Sequence, residues 1–460
     1  DNHKMGDFAP YLFTSSDLGR SWRSIAGDLP RGTIVWAVQQ DHVRPELLFA
    51  GTEFGVYWTP NGGTNWHKLT GGMPTTAVRD IKLHRRDNDL VAATFGRGFY
   101  VLDDYTPLRA VAAGARADGG ALLPVRDAWW FVPYQVAQAA GRPELGSDDF
   151  TAENTPFGAL LTVYLTELPA TARESRRAAE QAQRARGIDS PFPGYDRLRA
   201  GALESGPTVL VVVSDATGRR VRTLEVPARA GLHRIAWDLR GPSPEPVRLE
   251  RPAFQPPWVG EPTGPLVAPG GYSAQLVLVS ASGVRELGAA QGFEVKSVPN
   301  VRGNVDLVAA AAFQGRVAEL ARRLAITESE IGQLHGELRR VRATLIATPR
   351  AAPALHAQLD SIMASLAGFE RRLSGDPARA RLNQSNERSI SERVWTATST
   401  FGTRLPATAT QREQAELAEG ELAAVAREWR AFVDGDVARL RAALEAAGAP
   451  WTPGRVGRVP

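Results

Sequence analysis

Hydrophobic and polar residues alternate over short runs in the first two thirds of the chain and follow a helical spacing in the last third. Runs of four or five residues bounded by Gly, Pro, Asn and Asp are typical of short antiparallel strands. Four such runs lie close together near the N-terminus, at 34–38, 47–51, 56–59 and 66–69. The pattern therefore predicts a mainly β chain with an α-helical C-terminal part.

An eight-residue motif recurs with the spacing of these strands. Residues 15–22 fit the pattern S-x-D-x-G-x-S-W, and residues 59–66 repeat it in weaker form, with the two tryptophans 44 residues apart. A second repeat relates residues 51–57 to residues 93–100, and its two tyrosines are 43 residues apart. A period of about 40–50 residues with short strands is typical of β-propeller blades. We expect residues 1–108 to form the last blades of an incomplete propeller, with further blades preceding residue 1.

The residue types of the motif suit structural roles in a tight turn. An Asp or Asn at its third position accepts backbone N–H bonds, the Gly supplies a positive φ, and the Trp fills the space between neighbouring sheets. Asp17 is thus predicted to be a turn cap rather than a catalytic acid. The structural residues predicted in this way are Ser15, Asp17, Gly19, Trp22, Asn61, Gly63 and Trp66.

A second β domain is predicted at 159–298, after a segment at 109–158 that is a linker and the entry to this domain. Its strand-like runs indicate an immunoglobulin-like β-sandwich without a disulfide; they lie at 160–165, 209–214, 221–226, 233–238, 272–279 and 292–296. Two insertions, at 171–206 and 241–269, contain helix-breaking prolines and are predicted to be surface loops.

The last third of the chain carries apolar residues at alternating spacings of three and four. Ile331, Leu334, Leu338, Val341 and Leu345 form one such series, a second runs from 355 to 373, and a third helix is expected at 411–447. These spacings are typical of packed antiparallel helices. We expect a helical hairpin or bundle over 303–447 and a flexible tail at 448–460, with self-association through this helical region as a possible partner interaction.

Composition removes several classes of chemistry. The 460 residues include no Cys, which excludes disulfides, thiolate metal sites and a cysteine nucleophile. The net charge is only +4, and 50 of the 54 basic residues are Arg, so the basic balance is weak evidence for nucleic-acid binding. The seven His residues show no metal-ligand spacing. We expect no cofactor, metal, nucleic-acid partner or membrane span.

Three residues of the blade region are candidates for binding a ligand. Glu53 and Asp80 are possible cleft carboxylates. Arg97 lies between two glycines, and its guanidinium either faces a carboxylate or sugar or closes the propeller by bonding to backbone carbonyls, which we favour. His3 and His84 either line a central channel or complete local hydrogen bonds, and the latter is the commoner use.

Other conspicuous residues have structural interpretations. Asp103-Asp104 stand at a strand end, where neighbours point to opposite faces, so they suit an exit-turn cap better than an acid/base pair. Trp237 is either a sugar platform or, as we favour, a buried residue between two sheets. Trp129-Trp130 are predicted to plug an interdomain space.

The order of these motifs resembles that of bacterial proteins with sortilin-type β-propellers, commonly labelled glycosyl hydrolases with BNR (Asp-box) repeats. Phe95 stands where that family usually has His, and Asn61 and Asn65 replace Asp and Ser or Thr in the second box. The resemblance covers nearly the whole chain and rests on residues 1–4, 7–11, 48–55 and 93–104, followed by 233–240 and 268–276.

This resemblance implies a ligand-binding or scaffold role rather than a defined reaction. It implies a periplasmic or secreted protein whose propeller binds a peptide or a glycan, with the upstream blades of the same protein as partners. The alternative is a glycoside hydrolase whose catalytic carboxylates lie mostly in the upstream blades. None of the family's catalytic acids can be carried over residue by residue onto this sequence.

Overall fold

The chain divides into a mainly β unit and a mainly helical unit. The computed structural model describes residues 2–112, 114, 119–132, 154–247, 254, 262–298, 305–403 and 405–453. The first unit comprises Asp1–Trp129, Ala152–Asp238 and Gly270–Lys296, and the second comprises Trp130–Thr151, Leu239–Pro269 and Ser297–Pro460. The predicted β-then-helical layout is confirmed at this level, whereas propeller blades and an immunoglobulin-like sandwich stay predictions.

The N-terminal half of the first unit consists of antiparallel meanders in which consecutive strands pair. A two-stranded ribbon precedes a four-stranded and a three-stranded sheet. The strands are β1 (Phe13–Thr14) and β2 (Arg23–Ser24); β3 (Val35–Gln40), β4 (Leu48–Thr52), β5 (Gly55–Thr59) and β6 (His67–Lys68); and β7 (Val78–His84), β8 (Asp89–Thr94) and β9 (Phe99–Leu102).

A shared apolar core joins the two larger meanders. Strands β4 and β5 are buried at every position, which explains why their sequences read as continuous apolar runs rather than as an alternation. The core also contains Tyr105 and Leu108 from the segment after β9, the latter on α1 (Pro107–Ala112). Its other members are Leu47, Phe49, Val56, Trp58, Val78, Ile81, Leu90 and Ala92.

Two further sheets lie in the rest of the first unit. Trp237 of one sheet is fully buried, and its ring centroid lies 5.2 Å from that of Tyr272 and 6.1 Å from that of Phe293 in the other. The buried interpretation of Trp237 is therefore correct. One sheet orders β10 (Gly120–Leu122), β12 (Ala159–Leu165) and β15 (Gly231–Trp237); the other orders β11 (Ala128–Trp130), β17 (Gly283–Ser297), β16 (Gly270–Ser280), β13 (Thr208–Asp215) and β14 (Arg220–Val226).

Two segments contain helices that the sequence pattern did not predict. The predicted linker 109–158 holds most of α1 and the strands β10 and β11. The predicted loop 171–206 holds α2 (Ala172–Ala185) and α3 (Tyr195–Leu203). A reciprocal capping box between Thr171 and Glu174 begins α2, and the prolines lie between the two helices rather than inside one. Of the other predicted loop, residues 248–253 and 255–261 lie outside the described residues.

The second unit is built on long helices that share one core. The helices are α4 (Leu307–Ile346), α5 (Ala354–Ser374), α6 (Pro377–Arg381), α7 (Ile390–Thr398), α8 (Ala409–Phe432) and α9 (Ala438–Ala446). Both predicted apolar series lie in this core, together with Trp429 and Phe432 of α8. Sequence reasoning missed α6 and α7, which are too short to show a period but begin at the N-caps Asp376 and Ser389.

The predicted third helix is interrupted by one wide turn. A π-helical segment, Val433–Val437, separates α8 from α9. A single π turn inserts an extra residue without ending the helix, so the apolar side chains Trp429 and Leu440 remain in the same core. Among the described residues, no helix combines the length and the apolar character that a bilayer crossing requires.

The start of the predicted flexible tail is packed. Ala449 and Thr452 are buried, at 8% and 4% exposure. Arg340 Nη1 donates a hydrogen bond to the Pro453 carbonyl at 3.3 Å. The predicted flexible tail 448–460 is therefore wrong for 448–453, and residues 454–460 lie outside the described residues.

Candidate ligand-binding site

The first Asp-box turn is held by its own polar side chains. Asp17 Oδ1 accepts hydrogen bonds from the Ser21 amide at 2.9 Å and from Ser15 Oγ at 2.8 Å, while its Oδ2 accepts one from Ser21 Oγ at 2.7 Å. The hydrogen bonds from Ser21 and Ser15 lower the pKa of Asp17 to about 2. All of its hydrogen-bond partners are therefore local, as in an Asx turn.

The second turn repeats this arrangement with neutral side chains. Asn61 Oδ1 accepts the Asn65 amide at 2.9 Å, and Thr59 Oγ1 accepts the Gly63 amide at 3.0 Å. The indole of Trp66 is buried and donates to the Ile25 carbonyl at 3.0 Å. Asn61 thus keeps the backbone hydrogen bond of the turn without its charge, and its Nδ2 donates to Asn65 Oδ1 at 3.1 Å where Asp17 Oδ2 accepts from Ser21 Oγ.

The two tryptophans of the motif differ in burial. Trp66 is 7% exposed, whereas Trp22 is 65% exposed and its indole donates only to the Gly19 carbonyl of its own turn, at 3.1 Å. The prediction that Trp22 fills the space between two sheets is wrong for the described residues. Its ring lies instead over the turn that precedes it.

A cluster of aromatic and charged side chains lies where β3 and β7 begin. Trp36 is on β3, Arg79 is on β7, and Glu53 is in the turn between β4 and β5. Trp36 Nε1 donates to Glu53 Oε2 at 2.9 Å. The carbon of the Arg79 guanidinium lies 3.6 Å from the Trp36 ring centroid, a stacked cation–π contact. We call Trp36, Glu53 and Arg79 the mouth triad.

Two aromatic rings border the mouth triad. Phe95, in the turn between β8 and β9, has its ring centroid 5.2 Å from the Arg79 guanidinium carbon. The ring of His3 meets that of Trp36 edge-on at 5.2 Å. Phe95 is 71% exposed, so it borders the solvent side of the cluster. Of His3 and His84, the two histidines considered for a central channel, His3 contacts this surface.

Only one of the three predicted binding residues belongs to the mouth triad. Glu53 does, whereas Asp80 accepts the amide of Ile81 at 2.8 Å and lies 3.5 Å from Lys82 Nζ. Arg97 is exposed and makes no hydrogen bond or ion pair with any described residue. Its predicted bonds to backbone carbonyls are therefore wrong within the described part of the chain.

A histidine and two aspartates meet at the β7–β8 turn. One ligand atom each from His84, Asp87 and Asp89 lies within 4.8 Å of the others. Arg86 Nε and Nη2 both donate to Asp87 Oδ2, and Asp89 Oδ1 accepts the Asp104 amide at 2.9 Å. Asp87 and Asp89 thus already have hydrogen-bond partners. His84 makes a local contact, with its Nδ1 3.1 Å from Asp87 Oδ2.

A buried ion pair supports the side of the meanders that carries α1. Arg109 of α1 donates from Nε and Nη2 to both oxygens of Asp41, at 2.9 and 2.7 Å. The Tyr105 hydroxyl donates to Asp41 Oδ1 at 2.8 Å, and Arg109 also reaches Asn88 Oδ1. Burial alone would raise the pKa of Asp41, but the bonds from Arg109, Tyr105 and Arg44 hold it at about 2.

The two aspartates after β9 form a turn between strand and helix. Asp104, at φ +47°, is buried and accepts hydrogen bonds from the amide and hydroxyl of Thr106, at 3.1 and 2.6 Å. Arg234 donates to the carbonyl oxygens of Asp103 and Asp104. The pair is held as a capping turn, not as two facing carboxylates.

Trp129 and Trp130 differ in burial. Trp129 is 52% exposed, whereas Trp130 is buried and donates to the Val267 carbonyl at 2.8 Å. The predicted interdomain plug is thus wrong for Trp129.

Comparison with known proteins identifies no family. No family model matches the chain, and no curated protein matches it. It is similar to crystal structures of the extracellular domain of BT4673 from B. thetaiotaomicron, described as a putative one component system in one and a putative hybrid two component system in the other, at 9% and 8% identity and TM-scores of 0.16 and 0.17. Each match covers 64% of this chain and 32% of the other, so the chain spans about a third of the length of those structures. At these TM-scores the likeness carries no argument about function.

Proposed function

We propose that the β unit binds a ligand carrying a carboxylate, and that the mouth triad is its recognition surface. The observation that carries the proposal is the guanidinium of Arg79, stacked on Trp36 and bordered by Phe95. A ligand-binding role is thereby favoured over a purely structural role for this part of the chain.

The guanidinium of Arg79 is oriented by ring contacts, and the described residues leave its N–H donors available. It makes no hydrogen bond with a described residue, and its contact with Glu53 Oε2 is 3.9 Å long. Its side chain is 41% exposed. Because two aromatic rings hold the guanidinium, little conformational entropy is lost when its planar fork donates hydrogen bonds to a carboxylate.

The surroundings favour an acidic peptide over a neutral glycan. Sugars stack on an open aromatic face, but one face of Trp36 is covered by Arg79. Phe54 and Phe95 are 43% and 71% exposed and offer apolar contacts to side chains beside a carboxylate. Glu53 Oε1 accepts no hydrogen bond from a described residue and is available to a peptide N–H donor.

The glycosidase alternative receives no support from the described carboxylates of this surface. Hydrolysis uses two carboxylates about 5–10 Å apart across the scissile bond. Glu53 is the single carboxylate of the mouth triad, and Asp80 contacts Lys82 instead. The alternative therefore still depends on carboxylates in the expected upstream blades.

The test is binding of a peptide array, containing acidic peptides and their Gln- and Asn-substituted counterparts, to the full chain and to Arg79→Gln. We expect the variant to bind the acidic peptides at least about tenfold more weakly, since a hydrogen bond to a charged group contributes about 1.5–3 kcal/mol. Arg85→Gln removes the same charge from an exposed position on the β7–β8 turn and should leave binding unchanged.

Two results would overturn the proposal. One is equal weakening by Arg79→Gln and Arg85→Gln, which would indicate diffuse attraction to positive charge. The other is release of reducing sugar from a polysaccharide without any peptide binding, which would favour the glycosidase.

A further inference from the structure

A cleft in the helical unit is lined by arginines that the proposed function does not use. It has a volume of about 1010 Å³ and lies at the C-terminal end of α5, along α6, the segment before α7, and the facing side of α8. Ligand sites are typically clefts of about 300–1,000 Å³. Its basic residues are Arg371, Arg372, Arg379, Arg388 and Arg393. We call it the arginine cleft.

Two of the five arginines fix the wall of the cleft. Arg372 of α5 donates from Nη1 and Nη2 to the two carboxylate oxygens of Glu428 on α8. Arg393 of α7 donates to Glu421 Oε2 at 3.1 Å and to Gln414 Oε1 at 2.7 Å, both on α8. These pairs connect three helices and neutralise two of the four carboxylates in the lining.

The remaining arginines keep donors available. Arg371 and Arg388 are exposed, and their guanidinium groups make no hydrogen bond or ion pair with any residue in the described ranges. Arg379 donates one bond, from Nη1 to the Ser385 carbonyl at 3.0 Å. Each guanidinium has five N–H donors, so most of the donors on these three residues face solvent.

The remaining carboxylates offset only part of this charge. Asp376 Oδ1 accepts the amide of Ala378 at 2.9 Å as the N-cap of α6. Glu387 is exposed. Three arginines that have no carboxylate partner among the described residues thus lie beside two acidic residues, and Asp376 of these two already caps the helix backbone.

We propose that the arginine cleft binds a small molecule carrying two or more oxyanion groups, phosphate or carboxylate. The planar fork of a guanidinium matches both groups in a two-bond geometry. Several guanidinia around one cleft favour a ligand with several such groups over a single anion. The paired Arg372 and Arg393 hold the helices in place, while Arg371, Arg379 and Arg388 supply the contacts.

The experiment is isothermal titration calorimetry of the full chain with tripolyphosphate and, separately, with citrate, at about 50 and 150 mM salt. The test variant is Arg371→Gln/Arg388→Gln. The control, Arg323→Gln/Arg339→Gln, removes the same charge from exposed positions on α4. We expect the test variant to bind at least tenfold more weakly and the control to bind within twofold of the unaltered chain. Far-UV circular dichroism should show equal helix content in all three.

The two ligands separate the sources of the oxyanion. Tighter binding of tripolyphosphate would indicate a phosphorylated ligand, and tighter binding of citrate a polycarboxylate. No measurable heat with either ligand at millimolar concentration would overturn the proposal. Equal losses in the test and control variants would also overturn it, because they would indicate general attraction to the basic surface rather than a site.

Discussion

Asp41→Asn is expected to open the segment around α1 and the β3–β4 turn under conditions in which the unaltered chain stays folded. The side chain of Asp41 is fully buried and that of Arg109 is 17% exposed. The variant keeps the shape of the side chain but leaves the guanidinium without its negative partner. Breaking a buried pair in this way costs about 3–5 kcal/mol.

Hydrogen–deuterium exchange is the suitable measurement, because an overall melting curve combines the unfolding of the two units. Peptides covering 41–49 and 99–112 should exchange faster in Asp41→Asn, while peptides of α4 and α8 should be unchanged. Asp80→Asn loses the same charge from a half-exposed side chain and should change exchange little. Equal exchange in Asp41→Asn and Asp80→Asn would show that the ion pair does not stabilise this segment.

A double variant separates the loss of the pair from the exposure of an unpaired charge. Asp41→Asn/Arg109→Met removes both charges and keeps an unbranched chain at 109. Since an unpaired buried charge accounts for much of the cost, the double variant should recover part of the protection lost in Asp41→Asn. No recovery would indicate that Asp41 acts chiefly through Tyr105.

Because of the same ion pair, we expect the stability of this segment to depend on pH. The folded-state pKa of Asp41 is about 2, below its usual value of 3.8. A carboxyl with a lowered folded-state pKa stabilises the fold above about pH 4, and this contribution is lost as the pH falls through 2. The difference in exchange between the unaltered chain and Asp41→Asn should therefore narrow between pH 4 and pH 2. A constant difference over that range would contradict this origin of the stability.

Features set by local sequence were predictable from the chain alone. The hydrogen bonds of Asp17 are all within its own turn, so the motif was sufficient to predict a cap. The core series of α4 and α5 follow a spacing that only a packed helix produces. The helices at 172–203 were missed because their prolines were interpreted as breaking one helix, although they separate two.

The mouth triad depends on strand register and was only partly predictable. Trp36 and Arg79 are 43 residues apart, and neither belongs to a motif. They meet because β3 and β7 begin side by side in adjacent meanders, a placement that no local pattern encodes. The pair of Asp41 and Arg109 is separated by 68 positions and was missed for the same reason. The sequence offers Glu53 as a candidate cleft carboxylate inside the repeated segment 51–57, and its role in binding stays a prediction.

Gly63→Ala is expected to destabilise the second Asp-box turn much more than Gly19→Ala destabilises the first. Both glycines occupy the same motif position at similar positive φ, +92° and +85°. A Cβ at position 63 would lie 2.4 Å from the Ile25 carbonyl oxygen, whereas at position 19 the nearest atom would be 3.6 Å away, on Trp22. Gly19→Ala should therefore cost about 1 kcal/mol from backbone strain alone.

Gly63→Ala should lower the free energy of unfolding further, because the Ile25 carbonyl is already a hydrogen-bond acceptor. It accepts the Trp66 indole N–H at 3.0 Å, and Asp28 Oδ1 accepts the Trp66 amide at 2.6 Å. A methyl group at 63 would displace this backbone and break the indole bond, adding on the order of 2–3 kcal/mol. Peptides covering 23–30 and 59–68 should exchange hydrogen faster in Gly63→Ala, with little change around 15–22 in Gly19→Ala. Equal effects of the two substitutions would mean that backbone conformation alone selects glycine in both turns, and that the close approach at Ile25 contributes nothing.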